Sequence, residues 1–190
     1  MKKAAVVFLA LALLMMIFAV PVMAKTSKKI TVTFTRTGSF LTTGNHWYSE
    51  DGAYHLRDTT IGFHTYAIAG QDVSYAGSSE GTMWGNLHNV QETTTPSGAK
   101  AMVGEGGMTS ASEIFFADGN FEGIIQSKGM FVIYPESLPA SYRGYASLVN
   151  GEFRGVWHGT GIYTGQTLML DYEVVNAVVP TPLTGTLLIP

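Results

Sequence analysis

The strongest constraint on this chain is a pattern written twice between residues 112 and 176. One copy runs Gly119-Asn120-Phe121-Glu122-Gly123-Ile124-Ile125, with a further glycine at Gly129. The other runs Gly151-Glu152-Phe153-Arg154-Gly155-Val156-Trp157, with a further glycine at Gly161. Glycine, phenylalanine, glycine and glycine recur at the same offsets, 32 residues apart. A unit repeated at such a period is a supersecondary element that cannot bury its apolar face alone. Each copy therefore reads as a β-hairpin module of a closed or nearly closed antiparallel sheet. Gly81-Thr82-Met83-Trp84-Gly85 matches at two glycines, with Met83 in place of the phenylalanine, and reads as a degenerate earlier copy.

The rest of the chain supplies further strands. Ile30-Thr31-Val32-Thr33-Phe34-Thr35-Arg36 alternates apolar residues with threonine, the period of a half-buried strand, and puts Ile30, Val32 and Phe34 on the core face. Gly38 to Gly52 is polar and aromatic and ends in an Asp51-Gly52 turn signal, so it reads as a long surface loop. Ala53–Arg57 and Thr60–Ile68 read as two strands. In the second, Ile61, Phe63, Thr65 and Ala67 share a face, and His64, Tyr66 and Ile68 take the other. Gln91–Ser110, rich in threonine, glycine and serine around Pro96, predicts one short strand near Lys100–Val103. Asp118-Gly119-Asn120 and Asn150-Gly151 read as hairpin turns, the latter because both central residues of a type I′ turn need positive φ. Gly129 marks a bend in the run from Phe121 to Tyr134. Thr167–Val175 closes the series with Leu168, Leu170, Tyr172 and Val174 on its apolar face. Thr184–Ile189 is either a last strand or a tail. With 22 glycines and no convincing helical period, long helices are disfavoured.

Residues 1–24 stand apart from this pattern. Lys2 and Lys3 precede an apolar run from Ala4 to Val20, and Val22-Met23-Ala24 ends in small residues, the layout of a secretory signal peptide cut after Ala24. The alternative is a retained membrane anchor, since the run approaches the roughly 20 residues that span a bilayer. Cleavage predicts a secreted or extracytoplasmic protein with no integral span, a basic tail at 25–29, a barrel domain at 30–176, and a C-terminal strand or tail at 177–190. The remainder is one domain's worth of chain, long enough to bury a core without staples. It has no cysteine, hence no disulfide framework and no thiolate metal site. Net charge is −3 with no basic run after Lys25–Lys29, which argues against a nucleic-acid partner.

Gly159-Thr160-Gly161-Ile162-Tyr163-Thr164-Gly165-Gln166-Thr167-Leu168, preceded by Gly151-Glu152-Phe153-Arg154-Gly155, resembles the allene oxide cyclase-like barrel group. The resemblance covers about residues 112–176 and implies an all-β protein, a small antiparallel barrel of about eight strands whose interior holds an apolar ligand. The shared positions are turn and bulge glycines, so no catalytic residue is carried over.

Candidate binding residues come from the residue pattern. His55 and Arg57 share a strand face; were it the lumen face, the arginine fork suits a carboxylate, and were it the outer face, the pair is wet surface. Trp84, Glu122 and Trp157 complete the ligand-binding candidates, and the three tryptophans, Trp47 included, are either pocket or core. Glu152, Arg154 and His158 read as a polar exterior opposite Phe153, Gly155 and Trp157. His46, Glu50, Asp51 and His55 are spaced within reach of a metal but read as a loop, and no metal or other cofactor is expected. No nucleophile elbow and no phosphate loop occurs, so catalytic residues are not assigned. The expected function is an exported, non-catalytic barrel binding a small apolar or amphipathic molecule. The alternatives are an isomerase or cyclase acting on a lipid-like substrate, and an envelope structural or interaction module.

Overall fold

The computed structural model describes residues 27–42, 44–94, 98, 100–133, 145–179 and 182–190. The predicted leader, Lys25, Pro96, Tyr134 and Pro180 lie outside the described residues. Nine strands follow in order: β1 (Lys28–Thr42), β2 (Asn45–Tyr48), β3 (Tyr54–Gly70), β4 (Val73–Thr94), β5 (Lys100–Phe116), β6 (Gly119–Ile133), β7 (Ala146–Gly159), β8 (Thr167–Val174) and β9 (Leu183–Ile189). All pairings are antiparallel. β9 pairs with β1, and β1 also pairs with the Thr60–Gly70 half of β3. The short β2 lies along the same edge of β3, opposite Tyr54–Arg57, as a continuation of β1. Eight strands thus close into an antiparallel barrel, which removes the exposed sheet edges an open sheet would carry. Thr184–Ile189 belongs to the strand that closes it, through pairs to both β1 and β8.

Several segments that look separate in sequence are single strands, and the reason is the β-bulge. Ala53–Arg57 and Thr60–Ile68 both lie in the 17-residue β3, which bends at Asp58 with φ 58°. Its register slips twice against β4, between Leu56 and Thr59 and between Phe63 and Tyr66. An extra residue at a bulge swaps the faces of everything beyond it. Tyr66 and Ile68 are therefore buried with the core, whereas Thr65, expected beside Phe63, is exposed. The supposed loop at Gly38–Gly52 is mostly strand, its turn confined to the residues around Asp51-Gly52. Gln91–Ser110 likewise divides between the end of β4 and most of β5.

Asn150-Gly151 is not a hairpin turn. β7 continues through it with a bend, and Gly151 (φ 138°) sits opposite Gly129 (φ 150°) on β6. A Cβ on either glycine would come within 2.8 Å of the other's Cα, so two bare backbones pass where the sheet coils. The positive φ that the dipeptide advertises is spent on a strand bend. True two-residue hairpins occur at Gln71-Asp72 and Ala117-Asp118, the second within a residue of the expected turn.

The two copies of the repeat lie on adjacent strands, and their phenylalanines point inward with the flanking glycines. Two of those glycines make room for one indole. A Cβ on Gly155 would meet Trp157 Cη2 at 2.1 Å, and one on Gly123 would meet Trp157 Cδ1 at 2.8 Å. Gly81, Met83 and Gly85 hold buried positions on β4, the same device in its third, degenerate copy. Each fully buried side chain of this kind contributes roughly 1.5–3 kcal/mol.

Candidate functional site

The barrel interior is packed at both ends and loose between them. At one end the turn Gly161–Tyr163 carries Tyr163 over the mouth. Its ring stacks on Phe121 with centroids 5.2 Å apart and meets Tyr75 at 4.9 Å and Phe116 at 5.9 Å. Gly161 (φ 60°) permits this turn, because a Cβ there would lie 2.9 Å from the Asp118 carbonyl oxygen. At the other end Tyr54, Leu56, Leu87, Met108, Phe131 and Ile133 form a second buried cluster.

Between the clusters lies a cavity of about 210 Å³, bounded by Ile61, Phe63, Met83, Met108, Ile125 and Phe153, with Ser110 and Ser127 among its lining. A smaller one of about 50 Å³ shares Arg36, Ile61, Phe63, Ser110, Ile125 and Phe153 with it. Its own lining adds Ser79, Ser112 and Trp157. The space exists because inward positions on β4, β5 and β6 carry Gly81, Ser110 and Ser127, too small to fill the barrel axis.

Arg36 lines both cavities. Its guanidinium carbon sits 4.8 Å from the Phe63 ring centroid, and its charge acts on the Tyr172 hydroxyl. Among the described residues it forms no ion pair. Among the described residues, the larger cavity has no carboxylate or imidazole in its lining. In the smaller one Glu80 contributes, but its side chain is exposed, flanked in sequence by buried Ser79 and Gly81. Burial pushes the Tyr66 and Tyr172 hydroxyls above the ordinary phenol range, and the Arg36 charge pulls against that in both cases. Trp157 is 2% exposed and its Nε1–H has no acceptor. Among the described residues the Trp157 indole N–H is thus a lumen donor without an acceptor.

Arg36 went unrecognised in the sequence although the signal is present. Ile30, Val32 and Phe34 set a period of two, and Arg36 is the next position on that face.

Of the candidates drawn from the sequence, the structure turns only Trp157 inward. His55 and Arg57 lie on the outer face, because Tyr54 and Leu56 take the inward positions at the start of β3. The lumen placement considered for this pair is thereby corrected. His55 stacks on Trp47 at 5.1 Å, with Nδ1 2.8 Å from Asn86 Oδ1 and Nε2 3.1 Å from Ser49 Oγ. Arg57 donates to the carbonyls of Leu56 and Gly85 and to Asn86 Oδ1, and lies 5.7 Å over the Trp47 ring. The protein itself occupies both side chains. Trp84, 39% exposed, and Glu122 are also outside; Glu122 pairs in register with Glu113 and His158. Glu152, Arg154 and His158 lie outside too. Asp51 accepts from the Ser49 hydroxyl and the Ala53 amide, which hold its carboxyl below the usual range and make it a turn-former. No cluster of three or more metal-ligating side chains forms among the described residues.

The chain matches no protein-family model, no curated protein and no solved structure.

Proposed function

We propose that this chain is an exported barrel that holds one small apolar or amphipathic molecule in its lumen. The observation that carries the reading is the partly open cavity of about 210 Å³ between two packed clusters. Natural interiors are close-packed, and voids larger than a water are few. A predominantly apolar wall with a few convergent polar groups is the usual build of a small-molecule site. Size agrees: an engineered void of about 150 Å³ takes up benzene. The likeness of residues 112–176 to the allene oxide cyclase-like group supports the same reading, since it implies a barrel with an internal apolar ligand. Export rests on the leader pattern at residues 1–24.

The test is mass spectrometry of small molecules extracted from purified protein, beside a Ser110→Leu/Ser127→Leu variant that fills the cavity. A molecule present in the parent and lost from the variant is the expected result. Retention of that molecule by the filled variant overturns the reading, as does the absence of any extracted molecule combined with no saturable uptake of 1-octanol or benzene.

One observation favours a second reading. Arg36 and Tyr172 place hydrogen-bonding groups beside an apolar wall, the minimum that an isomerase or cyclase of lipid-like molecules would need. Recovery of the bound molecule unchanged after prolonged incubation decides for binding over turnover.

A further inference from the structure

We infer that Arg36 makes the lumen selective for monocarboxylates with a compact apolar body. This rests on the lumen being a binding site at all, and it deepens that reading by naming the chemistry of the ligand.

A guanidinium stays protonated at every accessible pH and cannot escape an apolar site by losing its proton. Arg36 is half-buried at the lumen, and an arginine drawn toward an interior ordinarily takes a partner. In this barrel β1 carries Arg36 inward in series with Val32 and Phe34, and it lines both cavities between Phe63 and Tyr172. Among the described residues it faces a ring and a neutral phenol. Neither answers its charge, and no carboxylate of the described residues forms an ion pair with it. The phenol is held neutral by its own burial, so it cannot supply the missing anion.

A second observation points the same way. The indole N–H of Trp157 is buried without an acceptor, and this side chain lines the smaller cavity along with Arg36. Serine hydroxyls at 79, 110 and 112 add to the polar part of that lining, and Glu80 borders it with its side chain exposed. A complementary ligand therefore brings acceptor oxygens and one negative charge to this side of the lumen. The rest of the space is bounded by Ile61, Met83, Met108 and Phe131, which calls for an apolar body and argues against a polyanion or a sugar phosphate. A carboxylate fits the guanidinium fork with two parallel hydrogen bonds. The space near 210 Å³ limits the body to a short alkyl chain or a single aryl ring with a linker.

The test uses the leaderless full barrel and three probes, octanoate, 1-octanol and acetate, by isothermal titration calorimetry. A parallel set uses Arg36→Met, which keeps the volume and removes the charge. Octanoate binding at least tenfold tighter than 1-octanol to the parent, with that preference abolished in Arg36→Met, is the expected result. Equal binding of octanoate and 1-octanol leaves the lumen reading standing and overturns the role given to Arg36. Acetate binding as tightly as octanoate reduces the site to a general anion pocket and overturns the apolar body. No binding of any probe overturns the carboxylate selectivity, whereas loss of the extracted molecule in the filled variant still supports the lumen. Because the comparison of octanoate with 1-octanol needs only the parent protein, it stands even where Arg36→Met does not fold.

Discussion

The aromatic end of the barrel and its middle are built from the same strands by the same device, yet one is solid and the other hollow. Both place small residues at inward positions. At the aromatic end the room left by Gly123 and Gly155 is taken by the indole of Trp157, and Phe121 and Tyr163 stack above it. In the middle the room left by Gly81, Ser110 and Ser127 receives no large neighbour, only the guanidinium of Arg36. Small inward residues are thus a means of making space, and a site results where the chain declines to fill it. Stability is concentrated at one end and the capacity to hold a guest in the other.

That contrast predicts unequal costs. Phe121→Ala removes a ring with no solvent exposure from the aromatic end and is expected to lower unfolding free energy by about 3–5 kcal/mol. Ser127→Ala, at the cavity wall, should change it by less than about 0.5 kcal/mol. Urea unfolding of both variants checks the pair, and comparable losses would remove the distinction between the two regions. Gly155→Ala comes next. Its new Cβ would meet the Trp157 ring at 2.1 Å, so the indole must shift, for a loss of about 1–3 kcal/mol. Near-UV circular dichroism should report the altered tryptophan environment; an unchanged spectrum with unchanged stability would mean that the glycine floor is not needed.

How much of this was readable beforehand follows the same division. The closed end was legible, because Ile30-Val32-Phe34 and Leu168-Leu170-Tyr172 announce their inward faces by simple alternation. A closed antiparallel sheet was legible as well, through glycine spacing, while the count of about eight strands was implied by the resemblance that residues 112–176 carry. The hollow was not. Alternation says which side chains point inward, not whether they meet across the axis, and that depends on register between strands distant in sequence. Bulges hid more. A single added residue at Asp58 and another near His64 exchanged the faces of β3, and the Asn150-Gly151 signal was absorbed by a bend in β7. Arg36 was visible as the next member of its own series, but a charged residue at the end of an apolar run is ordinarily read as the strand leaving the core.

Arg36→Met should separate the two regions in the opposite direction. Replacing an unanswered charge in the lumen with an apolar side chain of similar length is expected to raise unfolding free energy by about 0.5–2 kcal/mol, the usual gain when a residue kept for function is exchanged for one suited to packing. Thermal unfolding without added ligand checks it. A clear loss of stability would make Arg36 a structural element of the barrel and weaken the case that it waits for an anion.

The smallest expected effect is in the titration of Tyr66 and Tyr172, which flank that charge. Their folded-state values lie above the ordinary phenol value near 10 because burial disfavours the phenolate. Below about pH 10 both folded and unfolded chains keep these protons, so the pair has no influence on stability there. Above it the unfolded chain releases them first and binds fewer protons than the folded one, so stability must fall as pH rises. Tyrosinate absorbance should therefore show these rings ionising late, together with unfolding. Arg36 opposes the shift in both, so Arg36→Met should delay their ionisation further. An onset moved to lower pH in that variant would mean that the guanidinium does not sit between the two rings and the cavity.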